Sequence, residues 1–200
     1  MRRSARALVL ALSLAAVAAC SSDAPSSEGT SAPTTTGSTD ATTDSDSTAP
    51  VDYDGAPEGT RSFGEFDRTH VDTPVDYPQE PPVGGPHSPV WQTCQFYDVP
   101  IVTERGVHSM EHGAVWITFQ PDLPAEQVAT LQTLAASGQE LLVSPYEGLP
   151  APVVASAWGV QLSLDSANDP RLAEFAAFFQ NGPQTPELDT PCAMGTTDTP

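Results

Sequence analysis

The sequence predicts an α+β domain: a small mixed sheet with two helices in the order β-α-β-β-α, preceded by a loop-rich region of proline and glycine. Three observations carry the prediction. Short apolar runs are bounded by Gly and Pro, as strands are. Two longer segments repeat their apolar residues at helical spacing. The resulting order suggests helices laid on one face of the sheet.

Residues 66–107 are rich in Pro and Gly and read mostly as loop. Residues 113–119 (GAVWITF) suit a buried strand, which Pro121 ends because proline cannot donate to a ladder. Residues 124–136 read as a helix: Pro124 suits the first helical position, Val128, Leu131, Leu134 and Ala135 share a face, and Gly138 supplies a stop. Residues 140–144 read as a second strand, and 145–152 form a turn-rich connection. Residues 153–157 and 160–164 are two further strands around Trp158-Gly159. Asp169-Pro170 opens a last helix over 171–180, with Leu172, Phe175, Ala176 and Phe179 on one side and Gly182-Pro183 beyond its end.

The chain of 200 residues holds 26 Asp and Glu against 7 Lys and Arg, for a formal charge of -19; all 7 are arginine. Nucleic acid is excluded as a partner, because its recognition needs a cationic surface. Cation binding is permitted. The absence of lysine removes Schiff-base chemistry.

Arg2, Arg3 and Arg6 precede an apolar run over residues 7–19 that is too short to span a bilayer, which takes about 20 residues. Val17-Ala18-Ala19-Cys20 resembles a bacterial lipobox. The expectation is a signal peptide over 1–19, lipidation of Cys20, and anchoring to the outer face of the cytoplasmic membrane. An ordinary signal with Ala-x-Ala cleavage is the other reading. Residues 20–65 are expected to form a disordered Ser/Thr/Asp/Pro-rich tether, because they bury too little apolar surface to offset ordering. The globular domain is set at 66–192, with a disordered tail over 193–200.

Cys94 and Cys192 remain beyond the lipobox. Export and an even count favour a disulfide between them. Closing so long a loop contributes on the order of 4 kcal/mol in the entropy model. Thiolate ligation of a metal is the alternative, but the pair lacks zinc-ribbon spacing.

His70, His87, His108 and His112 are the chain's 4 histidines, and all precede the first long strand. In His108-Ser-Met-Glu111-His112, positions four apart share one face of a helical turn, so two imidazoles reach one ion. Gly113 and the strand behind it make that turn short. In Pro81-Pro-Val-Gly-Gly-Pro-His87 the prolines fix the backbone and aim one histidine. Such a set suits zinc, copper, nickel or ferrous iron. Met110 and Glu111 can add a soft or a hard ligand, or Glu111 can hydrogen-bond a ligand histidine from behind. The bland alternative is a cluster of polar loop residues. His108-x-x-Glu111-His112 also matches the inverted zincin pattern, in which the glutamate activates zinc-bound water, although Gly113 cuts short the helix that pattern needs. Trp91, Trp116 and Trp158 read as core, with Trp91 the one to line a site.

The Pro-His87 loop, Tyr97-Asp98, the Val107-His-Ser-Met-Glu-His-Gly113 block and Ser156-Ala-Trp158-Gly159 resemble the bacterial domain of unknown function 3105 family over residues 70–192. Gly84 and Met110 depart from that family's usual serine and leucine. The resemblance implies an exported or membrane-attached protein and groups His87, His108, Glu111 and His112 as one unit. It implies no activity.

The sequence therefore points to a lipid-anchored domain that handles or buffers copper or zinc. His87, His108 and His112 are the expected ligands, His70 a fourth, and Glu111 and Met110 support them. Copper comes first because Met110 adjoins the histidines. The alternatives are a zinc-dependent hydrolase with Glu111 as general base, and a metal-free cell-envelope interaction module.

Overall fold

A computed structural model describes residues 51–137 and 140–200. The signal segment, Cys20, the tether through residue 50 and the Gly138 stop lie outside the described residues. In chain order the elements are β1 (Arg61–Ser62), α1 (Thr103–Glu111), β2 (Val115–Phe119), α2 (Ala125–Ala135), β3 (Leu141–Pro145), β4 (Val153–Ala157), β5 (Val160–Leu164) and α3 (Pro170–Phe179).

The strands form one mixed sheet in the order β1-β5-β4-β2-β3. β2 and β3 are parallel, with Val115 opposite Leu141, and the other pairings are antiparallel. Alternation along each strand sends successive side chains to opposite faces. One face carries Val115, Ile117, Phe119, Leu141, Val143, Val153, Ala155 and Leu162 against Leu131 of α2 and Leu172, Phe175 and Phe179 of α3. Each such side chain contributes roughly 1.5–3 kcal/mol on full burial. Asp169 caps α3 by accepting from Arg171 N–H at 3.0 Å, and Pro170 takes the first turn.

The other face holds Trp116 and Leu142 against Val107 and Met110 of α1, with Tyr97, Ile101 and Trp158. Helices therefore cover both faces, where one was expected. The sequence pattern missed α1 because Gly106 interrupts it and only Val107 and Met110 mark its apolar side. Gly106 has a packing reason: a Cβ there would lie 2.8 Å from the Trp116 ring. The helix rests on the indole, and any side chain at 106 would lift it off.

The Cys94–Cys192 disulfide is present, with Cα atoms 5.5 Å apart across a separation of 98 residues. Beside it, Tyr97 N–H donates to Val143 O at 2.8 Å and Val143 N–H to Gln95 O at 3.0 Å, so the 95–97 segment pairs with β3. The bridge thus fastens the C-terminal segment to the margin of the sheet.

Ordered chain extends past both expected boundaries. Arg61–Ser62 pairs with β5, and Tyr53 packs edge-on against Phe179 at 5.4 Å. At the other end Thr196 N–H donates to Trp91 O and Thr93 N–H to Thr196 O. A two-residue strand and a single backbone bridge leave no periodicity, so composition alone marked both segments as tether and tail.

Candidate metal centre

α1 and its C-cap residue carry three candidate donors. His108, Glu111 and His112 are spaced three and four apart and are 4%, 2% and 3% exposed. Two loop segments face them. His70 and His87 lie side by side in a parallel bridge, with Val71 N–H donating to His87 O at 2.7 Å and His87 N–H to Thr69 O at 3.0 Å. The 81–87 loop is pinned to the β4–β5 hairpin: Gly159 N–H donates to Val83 O at 2.6 Å, and Gln161 Nε2 to Pro81 O at 2.9 Å. Gly85 adopts φ +114°, a conformation open to glycine, and its carbonyl meets the ring of His87.

These contacts bring one ligand atom each from His70, His87, His108 and Glu111 within 4.8 Å of one another. The His70 and His108 rings stack at 4.9 Å, and His87 stands edge-on to both at the same distance. Donors around a tetrahedral zinc, with bonds of about 2.0–2.1 Å, stand about 3.3 Å apart. The four atoms, within 4.8 Å of one another, stand wider than that, so the group has to draw in around an ion. His87 is fully buried, whereas the His70 side chain is 47% exposed and forms the solvent side of the group.

Hydrogen bonds fix the direction of the lone pairs. His87 Nδ1–H donates to Gly85 O at 2.9 Å, and His108 Nδ1–H to Ser88 O at 2.6 Å. Each ring therefore presents an unprotonated Nε2 to the cluster when neutral. His87 Nε2 faces Glu111 Oε2 at 2.9 Å, and His70 Nε2 stands 3.8 Å from the same oxygen. Two electron-pair donors that close require a proton or a metal ion. Backbone carbonyls on the far ring nitrogens are the usual support for ligand histidines.

The electrostatics favour the ligand forms. Burial alone raises the Glu111 carboxyl, but the hydrogen bond and charge of His87, with His108 and His70, outweigh it and hold the group below the ordinary carboxylate value. Burial lowers the His108 imidazole against the opposing pull of the Ser88 carbonyl. Burial also lowers His112, and the adjacent His108 adds to the effect. At His108 and Glu111 these directions favour the neutral imidazole and the ionised carboxylate that a divalent ion binds.

Of the two places open to Glu111, beside the ligands or behind them, it stands in the converging group. His112, an expected ligand, contributes none of the four atoms that converge within 4.8 Å, although its Nε2 lies 2.9 Å from His108 Nε2; it also stands 3.5 Å from Glu187 Oε2. Met110 is fully buried in the apolar cluster with Val107 and Trp116, so its thioether belongs to the core. Trp91 does line the site, with its ring 4.8 Å from His112 and 5.6 Å from His108. Glu187, whose N–H donates to Glu111 O at 3.0 Å, was not foreseen, because the loop that carries it has no motif.

A family model described as "Protein of unknown function (DUF3105)" matches residues 69–194. The chain belongs to this family. The matched span runs from Thr69, beside His70, past Cys192, so the family domain encloses the four converging residues, His112, Glu187 and the disulfide. No curated protein and no solved structure matches the chain. The family's description assigns no chemistry, which leaves function to the geometry. Among the described residues no helix is long and apolar enough to cross a membrane, and the disulfide is consistent with an extracytoplasmic location.

Proposed function

We propose that the chain binds one divalent transition-metal ion through imidazole nitrogens of His70, His87 and His108 and the carboxylate of Glu111. The observation that carries the reading is the 2.9 Å approach of His87 Nε2 to Glu111 Oε2, with His87 Nδ1–H already committed to Gly85 O. Three imidazoles and one carboxylate suit zinc and other borderline divalent ions. The case for copper rested on Met110, whose thioether is absorbed by the core, so zinc takes first place. A bound ion would supply fixed positive charge where lone pairs now face one another. The chain's own residues hold it: Gly85 and Ser88 orient two rings, and α1 places the carboxylate.

The role is metal handling or buffering at the outer face of the membrane, with Cys20 as the lipidated anchor. The disulfide and the signal-like residues 1–19 support that location. Hydrolysis with Glu111 as general base is the weaker reading, because its carboxylate is engaged by His87 as one of the donors.

Elemental analysis of full-length protein loaded with zinc and dialysed tests the proposal. About one equivalent should remain, the stoichiometry of a single closed four-donor site. His87→Ala and Glu111→Gln should each lose the ion. A Glu111→Gln protein that keeps its zinc would remove the carboxylate from the ligand set and revive the hydrolase reading.

A further inference from the structure

His112 is the conspicuous remainder of the site. It is 3% exposed, one turn of α1 from His108, yet it stands outside the four converging groups. Its Nε2 is 2.9 Å from His108 Nε2. Exactly one proton can satisfy that contact, and its position follows from the neighbours. His108 already carries its ring proton on Nδ1, where Ser88 O accepts it at 2.6 Å. The shared proton therefore sits on His112, and His112 Nε2–H donates to His108 Nε2. His112 Nδ1 agrees: it is buried with no hydrogen-bond partner, as a bare lone pair can be at lower cost than an orphaned N–H.

The consequence is a competition. The His108 Nε2 lone pair is the one the ion needs, and in the arrangement described here His112 occupies it. A second acceptor stands beside His112: Glu187 Oε2 lies 3.5 Å from the same Nε2. The Glu187 backbone is anchored beside the site by its N–H, which donates to Glu111 O at 3.0 Å, while the side chain is 45% exposed.

We infer that His112 sets the affinity of the metal centre by hydrogen-bonding His108 Nε2 when the ion is away and Glu187 when it is bound. The inference rests on the proposed metal-binding reading and deepens it. No proton is gained or lost in the exchange; the His112 Nε2–H only changes acceptor, from a ring nitrogen to a carboxylate oxygen. His112 is then a positioning residue and not a ligand. Trp91, packed on its ring at 4.8 Å, limits how far the imidazole can turn.

The prediction has an unusual sign: removing a histidine tightens metal binding. His112→Phe keeps a ring against Trp91 and cannot donate. Zinc titration of the full-length chain should give a lower Kd than wild type at unchanged stoichiometry, by less than the roughly tenfold of one uncompensated hydrogen bond, because Glu187 accepts the displaced N–H in wild type. Glu187→Ala removes the alternative acceptor and should raise Kd several-fold. That effect should vanish in the His112→Phe background, because nothing then remains for Glu187 to accept. A merely structural role for either residue would not produce opposite signs or this dependence. The loaded wild-type protein should also keep the His112 proton on Nε2 in ring nitrogen NMR spectra.

Loss of zinc from His112→Phe, with the fold intact by circular dichroism, makes His112 a ligand and overturns the inference. Should His112→Phe not fold, an unchanged Kd in Glu187→Ala overturns it instead. Wild-type protein that retains no zinc defeats the metal-binding reading itself, and the inference falls with it.

Discussion

His87 is fully buried with one ring nitrogen on a backbone carbonyl and the other on a carboxylate, so its environment specifies a charge between itself and Glu111. That pairing has a pH signature. Burial holds His108 and His112 below the ordinary imidazole value, and His87 helps hold Glu111 below the ordinary carboxylate value. For each of these groups the unfolded chain binds protons more readily than the folded one, so stability rises with pH across the interval between the two values. For the histidines that stability is whole above about 6.5, the unfolded value, and declines as pH falls through the depressed folded one. Zinc affinity should fall over the same interval, since protons compete for the same lone pairs. Urea unfolding and zinc titration between about pH 7 and pH 5 should show both losses, and His108→Phe should flatten the stability slope. A flat profile for the wild type would contradict the assignment of neutral imidazoles. At this scale the sequence was informative about residue type: four histidines and Glu111 stood out. Which of them converge was not legible, because the carbonyls of Gly85 and Ser88 that aim the rings are backbone groups that any residue carries.

α1 gathers His108 and Glu111, and its seat on the sheet is the contact of Gly106 with Trp116. Gly106→Val would force a branched side chain into an indole whose atoms already lie 2.8 Å from the position of a Cβ. Overpacking of this kind costs about 1–3 kcal/mol. The upper end is expected here, measured by urea unfolding, together with weaker zinc binding as the helix carries its two donors outward. Unchanged zinc affinity in a destabilised Gly106→Val protein would separate the helix seat from the site. The other elements were more legible. β4 and β5 announce themselves by apolar runs between turns, and α3 by Asp169-Pro170 followed by Leu172, Phe175 and Phe179. α1 escaped because its buried face is polar. His108, Ser109, Glu111 and His112 are all buried, and a residue-by-residue apolar pattern counts them as exposed. A helix built around a site looks like a loop to hydrophobic periodicity.

Across the molecule, the disulfide, the acidic charge and the signal-like residues 1–19 bear on where the protein works. Lipid anchoring is the part of the proposal carried by Cys20. In an expressing bacterium, Cys20→Ser should move the protein from the membrane fraction to the soluble exported fraction, with the Cys94–Cys192 bridge still formed. Unchanged membrane retention would refute the anchor. Domain limits were the least legible feature at this scale: Tyr53, Arg61–Ser62 and Thr196 join the fold through single rings and short backbone bridges, contacts that composition does not register. The central claim is that His70, His87, His108 and Glu111 enclose one ion. Anomalous diffraction at the zinc absorption edge from zinc-loaded crystals tests it most directly. A single peak bonded to those four side chains, with His112 turned to Glu187, is the predicted result; a protein crystallised with zinc that shows no peak among them would contradict it.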